Sequence, residues 1–197
     1  IPIAEKTKLI IPIGKKIILR ALAFIGRLRD AGHADVTVSV NVSAIQVLAN
    51  DFKEDLLNMI GEMDASPKDL GIEITESVFT SDYSEINCIL GELREKGMII
   101  AIDDFGTGYS SLAREHELNV DCLKIDKYFI DKLKEIDSEK AITADIISIA
   151  HKMGHYIIAE GVEHEEQMEY LLKNGCEKIQ GYLIAPPLGE DEAIGLL

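Results

Sequence analysis

Met98-Ile-Ile-Ala-Ile-Asp-Asp104 is the stretch that decides the fold, because five apolar residues lead directly into two adjacent carboxylates. A short β-branched run of this kind indicates a strand with both faces covered, as in a parallel sheet. The stretch Tyr156-Ile-Ile-Ala-Glu160 has the same form, with an acid at the same end. The two stretches predict an α/β fold in which polar side chains collect at the carboxyl ends of buried strands.

Similar apolar runs recur along the chain and alternate with longer amphipathic segments. Strands are predicted to begin near Val36, Gly71, Met98, Cys122, His155 and Lys178, and helices to cover about residues 13–31, 53–63, 84–96, 140–152 and 164–173. Steps of about 23 to 35 residues between strands leave room for a crossover helix, which predicts parallel strands. Six such units fit either an open doubly wound sheet or a closed barrel without its first strands, since an eight-stranded barrel needs roughly 250 residues.

Composition limits the classes of function. The chain has 197 residues, 47% of them hydrophobic, which predicts one domain over residues 1–197. A formal charge of −15 argues against DNA or an anionic membrane as a partner, since both require clustered positive charge. Three separated cysteines predict reduced thiols in a cytoplasmic protein, and charges within Leu9 to Ile25 predict an amphipathic helix without membrane insertion. Because the chain opens on Ile-Pro-Ile, we expect that residue 1 is not the natural start.

Nearly every predicted strand ends in side chains that bind metals or phosphates. The oxygen ligands among them are Asn41, Glu73, Asp103, Asp104 and Glu160. Each alone also suits a turn or a helix cap, but acids within apolar strands are costly to bury unless they share a cation. Oxygen ligands favour Mg²⁺, Mn²⁺ or Ca²⁺, and a pair of such ions is the usual arrangement for hydrolysing phosphate esters. Lys124 adds a fixed positive charge near the phosphate or water, unless it only extends from a strand end to solvent.

Two other chemistries remain open from these residues. The segment Phe105-Gly-Thr-Gly-Tyr-Ser-Ser-Leu112 contains a Gly-x-Gly, but it lacks the third glycine of a dinucleotide fingerprint and is better explained as a loop that gates the site. Lys124 could also serve as the base or Schiff-base amine of a magnesium-dependent lyase or aldolase.

The ordered motifs of the chain resemble those of the EAL domain family of bacterial cyclic di-GMP phosphodiesterases. The resemblance rests on Ser39-Val-Asn-Val-Ser43, Glu73-Ile-Thr-Glu-Ser77, Ile102-Asp-Asp-Phe-Gly-Thr-Gly-Tyr-Ser-Ser-Leu112, Leu123-Lys-Ile-Asp126, Ile158-Ala-Glu-Gly-Val-Glu163 and Gln180-Gly-Tyr182. It implies a TIM-like (β/α) barrel, here N-terminally incomplete and lacking its first one or two strands. It further implies hydrolysis of cyclic di-GMP to linear pGpG with two Mg²⁺ or Mn²⁺ ions.

The resemblance also implies roles for single residues. The metal ligands become Asn41, Glu73, Asp103, Asp104 and Glu160, with Asp103 bridging both ions. The remaining site residues are Lys124 and Gln180, which orient the attacking water and the second-metal shell, Glu163 as a further site glutamate, and Glu76, which steadies the loop after the acid pair. Family members usually form homodimers and commonly follow sensory or GGDEF domains in longer chains.

Three departures from the family pattern leave a second function open. The Glu-Ala-Leu strand that names the family, with its metal-binding glutamate, is absent from these residues. Ile45 replaces the family's arginine, and Ile184-Ala-Pro-Pro187 replaces its Phe-Ser-Lys-Pro ending. The alternative is therefore a catalytically impaired EAL domain that acts as a cyclic di-GMP receptor or a protein-interaction module.

Overall fold

The computed structural model describes residues 1–76, 78, 82–106, 118–133 and 142–197. It divides into two compact units, Ile1–Ile100 with Gly189–Leu197 and Ala101–Leu188. Most of the predicted gating loop, which runs from Phe105 to Leu112, lies outside the described residues. Among the described helices, none has the length and apolar character needed to cross a membrane.

The first unit begins with two helices, α1 (Pro2–Lys6) and α2 (Ile10–Asp30). Lys8 lies between them with a φ of 58°, a left-handed conformation that does not continue a helix. On α2, Ile18, Leu22 and Ile25 recur at helical spacing and are buried. The helix predicted over residues 13–31 therefore begins three residues earlier, and α1 is an addition to the sequence-based prediction.

The first unit continues through alternating strands and helices. These are β1 (Val38–Asn41), α3 (Ala44–Val47), α4 (Phe52–Glu62), a 3₁₀ turn (Pro67–Asp69), β2 (Leu70–Thr75), α5 (Tyr83–Glu95) and the first two residues of β3 (Ile99–Phe105). Its core includes buried aliphatic side chains from α2 and from these elements: Leu22, Leu28, Val40, Leu56, Ile72, Ile74, Ile86, Leu90 and Leu93. Burial of such side chains is the main force that holds helices against strands.

The second unit contains the rest of β3 and the remaining strands. Its elements are β4 (Cys122–Ile125), α6 (Lys127–Lys132), α7 (Ile142–Lys152), β5 (Tyr156–Ala159), α8 (Glu165–Lys173) and β6 (Lys178–Ile179). All four residues of β4 are buried, as expected for a strand covered on both faces. One of the four is Lys124, so this strand carries a charged group into the interior.

The strands confirm the predicted topology. In the part of the chain that the structure describes, six strands are hydrogen-bonded in chain order from β1 to β6, and the β1–β2, β3–β4, β4–β5 and β5–β6 pairs are parallel. Each strand begins within about two residues of its predicted start. The largest difference is at β1, which was predicted to begin near Val36 and begins at Val38. Helices α3 and α6 are absent from the prediction because one or two turns are too short to produce a hydrophobic period.

The last helix, α9 (Glu190–Leu196), belongs to the first unit and contains no buried residue. Arg20 of α2 donates to Glu190 at 2.7 Å, and Arg27 donates to both Glu190 and Asp191. These exposed ion pairs connect α9 to α2.

Candidate active site

A bulge in β3 brings two adjacent carboxylates close together at the end of the strand. Ile102 pairs with Leu123 and Phe105 with Ile125, so β3 uses three steps where β4 uses two. Asp104 occupies the bulge with a φ of 57°, a conformation that aspartate tolerates better than most residues. In a regular strand Asp103 and Asp104 would point to opposite faces, and the extra residue removes that restriction.

Three carboxylates meet beside this bulge. Oxygen atoms of Asp103, Asp104 and Glu160 all lie within 4.8 Å of one another. The backbone N–H of Asp104 donates to Oδ1 of Asp103 at 3.0 Å, which fixes the orientation of that carboxylate. Glu160 follows the last residue of β5 directly, so the cluster combines the ends of two strands.

Lys124 is the cation of this cluster, and it does not extend to solvent. Its side chain is 3% exposed, and its Nζ lies 2.6 Å from Oε1 of Glu160 and 3.4 Å from Oδ1 of Asp103. Register pairs Lys124 with Ile158, and Glu160 lies two residues after Ile158, just beyond the end of β5, at the spacing that keeps a side chain on the same face. The buried ammonium group is thus held between the two carboxylates.

The cluster carries more negative than positive charge. Partial desolvation, then the charges of Asp103 and Asp126, raise the pKa of the Asp104 carboxyl above its ordinary value. Lys124 opposes this shift but does not cancel it. Among the described residues, these three carboxylates and that of Asp126 outnumber the Lys124 ammonium group, and the chemistry of the site fits an added hard cation, which prefers oxygen ligands.

A cavity of about 360 Å³ opens beside the end of β5. Its lining includes Glu160, Glu163 and Gln180, three residues that the sequence analysis assigned to the site, together with Tyr182 and Lys127. Gln180 is exposed, and the Tyr182 side chain is largely open to solvent. The backbone N–H of Glu163 donates to Oε1 of Gln167, which ties the end of this segment to α8.

Lys127 lines this cavity and was not predicted from the sequence as a site residue. Its Nζ lies 2.5 Å from Oε1 of Glu163, and this hydrogen bond raises the pKa of the lysine above its ordinary value. Asp126 caps α6 by accepting from the backbone N–H of Tyr128, and it too was given no role in the site from the sequence. Both residues directly follow the Leu-Lys-Ile run of β4, and that position was the available signal.

The other predicted site residues lie in the first unit. Asn41 is the last residue of β1, and Glu73 lies near the end of β2. The two residues are direct partners in the parallel register. Their side chains therefore leave the sheet on the same face. Glu76 follows β2 and is buried. Its predicted contact with the loop after the acid pair falls on residues outside the described ranges.

A hydrogen-bonded network supports the turn after Asn41. The hydroxyl of Ser43 donates to Oε1 of Glu5 on α1 at 2.7 Å. The same hydroxyl accepts from the backbone N–H of Ile45, while the Ser43 N–H donates to Oε1 of the buried Gln46. Gln46 lies so close to Gly14 that a Cβ there would be 1.8 Å from its amide nitrogen.

The fold and these carboxylate-bearing strand ends define an α/β protein of the TIM-like (β/α) barrel class, represented here by six parallel strands. The family model described as EAL domain matches residues 1–187. The chain belongs to the EAL domain family.

Comparison with individual relatives supports this assignment. MucR of Pseudomonas aeruginosa, a bifunctional diguanylate cyclase/cyclic di-GMP phosphodiesterase, is 37% identical over 194 residues, which cover 98% of this chain and 28% of MucR. A solved structure of the MucR phosphodiesterase in complex with c-di-GMP has a TM-score of 0.90 at 37% identity and covers 98% of this chain and 78% of that one. The EAL domain of Mycobacterium smegmatis DcpA has a TM-score of 0.88 at 34% identity, covering 93% and 83%. The chain spans about a quarter to a third of the length of the curated relatives that it matches.

Proposed function

We propose that this protein is a metal-dependent cyclic di-GMP phosphodiesterase that converts cyclic di-GMP to linear pGpG. The observation that carries the proposal is the cluster of Asp103, Asp104 and Glu160 around buried Lys124, in a chain of the EAL domain family. The names of its relatives support the substrate, since MucR is a cyclic di-GMP phosphodiesterase and its structure contains c-di-GMP.

The residues that would hold the metal are Asp103, Asp104 and Glu160, whose oxygen atoms already lie close together. Asn41 and Glu73 stay predicted ligands. The bridging of both ions by Asp103 also stays a prediction. A bound Mg²⁺ or Mn²⁺ ion supplies a Lewis acid for phosphate oxygens and makes water a better nucleophile at neutral pH. Two ions are proposed because the predicted ligands outnumber those that one small octahedral ion takes from protein.

The reaction requires few groups from the protein itself. A water oxygen bonds to one phosphorus, the bond from that phosphorus to the 3′ oxygen breaks, and the 3′ oxygen gains a proton. Lys124 holds the carboxylates of Glu160 and Asp103 in place and presents its Nζ–H groups as donors to the water or the phosphate. Gln180 offers an amide at the cavity and is proposed to orient the same water.

The cellular setting follows from the family resemblance. We propose a cytoplasmic protein that forms a homodimer and works together with sensory or GGDEF domains. The name of MucR supports the last point, because that relative combines a diguanylate cyclase with the phosphodiesterase.

The test is direct hydrolysis. The protein is incubated with cyclic di-GMP and Mn²⁺ or Mg²⁺, and pGpG is followed by chromatography, with EDTA and with Asp103→Ala as controls. We expect metal-dependent formation of pGpG that both controls abolish. Metal-independent turnover, or release of any other product, would contradict the proposal.

The receptor function remains the second candidate because of Ile45, which is 37% exposed just after Asn41-Val-Ser and replaces the family's arginine. Loss of an arginine removes a group that donates strong hydrogen bonds to phosphate. Saturable binding of cyclic di-GMP without turnover at any concentration of Mn²⁺ would favour the receptor over the enzyme. If Ile45 weakens phosphate binding, Ile45→Arg should lower the dissociation constant for cyclic di-GMP.

A further inference from the structure

Lys127 makes a long-range contact at the cavity beside β5. Its Nζ lies 2.5 Å from Oε1 of Glu163, which is 36 residues away in sequence, and 3.3 Å from Oδ1 of Asp131 on its own helix. The pair with Asp131 is an ordinary contact between residues four apart on a helix. The shorter contact with Glu163 directs the lysine toward the cavity, which both residues line.

The backbone of the Glu160-to-Glu163 segment leaves room for this lysine. Gly161 has a φ of 68°, and a Cβ at this position would lie 2.3 Å from Cγ and 2.6 Å from Cβ of Lys127. The stem of Lys127 therefore packs directly on the glycine backbone. The Lys127 side chain as a whole is 45% exposed, and this packing of its stem limits the rotamers that it can adopt.

The contact between Lys127 and Glu163 affects the charge of the cavity. Two carboxylates line the cavity, Glu160 and Glu163, and Lys127 is the only cation among the described residues that line it. A cyclic dinucleotide carries two negative charges, so an uncompensated Glu163 would repel it. An ammonium group at hydrogen-bonding distance offsets that repulsion and keeps the carboxylate in one orientation.

We infer that Lys127 is a positioning residue for the ligand: it fixes the Glu163 carboxylate at the edge of the cavity and offsets its charge, so that an anionic cyclic dinucleotide can enter. The inference rests on the proposed function, because it takes cyclic di-GMP as the ligand. Lys127 acts through Glu163, and Gly161 is the residue that permits the close approach.

A double-mutant cycle tests whether Lys127 acts through Glu163. The variants are Lys127→Met, Glu163→Gln and the combination, and Lys152→Met on α7 is the matched control because it removes an exposed lysine of the same unit. Binding of cyclic di-GMP is measured by titration calorimetry in EDTA and again with Ca²⁺, and KM and kcat are measured with Mn²⁺. Thermal unfolding of each variant reports whether the fold is kept.

We expect Lys127→Met to weaken binding and raise KM by about 10-fold, the scale of coupling between contacting residues, with a smaller change in kcat. In the Glu163→Gln background, where no carboxylate charge remains to offset, removal of Lys127 should add little. Lys127→Arg should restore most of the affinity, since it keeps the charge, and Lys152→Met should behave as the parent protein.

The outcomes separate the inference from the proposed function. If the parent protein binds and hydrolyses cyclic di-GMP but Lys127→Met equals it, or the two losses simply add, the positioning role is wrong and the phosphodiesterase stands. If the parent protein neither binds nor hydrolyses cyclic di-GMP, both fall together. A kcat loss with unchanged KM and affinity would also overturn the positioning role.

Discussion

Two groups of ion pairs in this protein use the same chemistry in opposite surroundings. On the second unit, Lys124 is 3% exposed between Glu160 and Asp103. On the first unit, Arg20 is 79% exposed and pairs with Glu190, the residue that begins α9. The donor and acceptor types are alike, and the distances of 2.6 Å and 2.7 Å are nearly equal.

The difference lies in what water does to each pair. At the surface, solvent and salt screen the attraction, so the α2–α9 pairs contribute little and tolerate change. In the interior the same charges interact strongly, and removing one partner leaves the others uncompensated. Carboxylates kept in excess at such a position are costly for folding, which is typical of a site retained for function.

The strongest test of the buried group is Asp103→Ala. It removes an oxygen ligand from the three-carboxylate cluster, and we expect cyclic di-GMP turnover to fall by more than about 100-fold, since even outer residues of a metal site are worth about 10- to 100-fold. Rates of pGpG formation across a Mn²⁺ titration measure the loss. Asp145→Asn on α7, an exposed acid of the same unit, is the control and should retain full activity. Equal activity of the two variants would show that the cluster is not the site.

The next effect concerns stability and its dependence on metal. Lys124→Met leaves the partly buried Glu160 and Asp103 without their buried cation, and we expect it to lower the free energy of unfolding by about 3 kcal/mol in EDTA. A divalent ion neutralises the same carboxylates, so Mn²⁺ should narrow the gap between variant and parent. Urea unfolding with EDTA and with Mn²⁺ measures both values. A gap that Mn²⁺ leaves unchanged would contradict a cation site at these residues.

A third prediction concerns the ligands assigned from sequence in the first unit. Asn41→Ala should weaken Mn²⁺ binding by about 10-fold or more, because an amide oxygen is lost from the predicted ligand set. Activity at low Mn²⁺ should fall, and excess Mn²⁺ should recover part of it. Asn50→Ala, another exposed asparagine of this unit, serves as the control. An unchanged Mn²⁺ dependence for Asn41→Ala would remove this residue from the site.

The smallest effect belongs to the surface pairs. Hydrogen bonding to Arg20 holds the pKa of Glu190 below its usual value. The pair therefore stabilises the fold at any pH above the usual pKa of a glutamate, and this contribution is lost as the pH falls through the lowered pKa. Arg20→Gln should therefore lower the thermal midpoint slightly at pH 7 and low salt. The difference should vanish near 1 M salt and in acid below the lowered pKa. A large salt-independent loss would mean that Arg20 contributes through packing.

The sequence predicts most of the fold because the fold depends on local patterns. Each apolar run that precedes an acid, such as the one ending at Asp103, became a strand, and each amphipathic segment of three or more turns became a helix. The elements it misses are short or exposed. Helix α9 has no buried residue, so no hydrophobic period marks it, and its position depends on Arg20 and Arg27, about 165 residues earlier in the chain.

The site is predicted less completely. The residue types and their positions at strand ends follow from the sequence, and the structure brings Asp103, Asp104, Glu160 and Lys124 together. The sequence could not show that Lys124 is buried, because a lysine at a strand end commonly reaches solvent. For Lys127 the sequence offers only its position after β4 as a signal, because the contact with Glu163 exists only after β4 and β5 have paired.

What the sequence determines by itself is the order of strands and helices and the presence of acids at the strand ends, since hydrophobic period and residue chemistry are properties of neighbouring residues. Only the tertiary structure decides that Asp103 and Asp104 both come close to Glu160, that Lys124 lies between two carboxylates and that Lys127 reaches Glu163. These features depend on a bulge and on the register between strands. Strand pairing joins residues that are distant in the chain, so the pattern of one strand alone does not show which residues its side chains will meet.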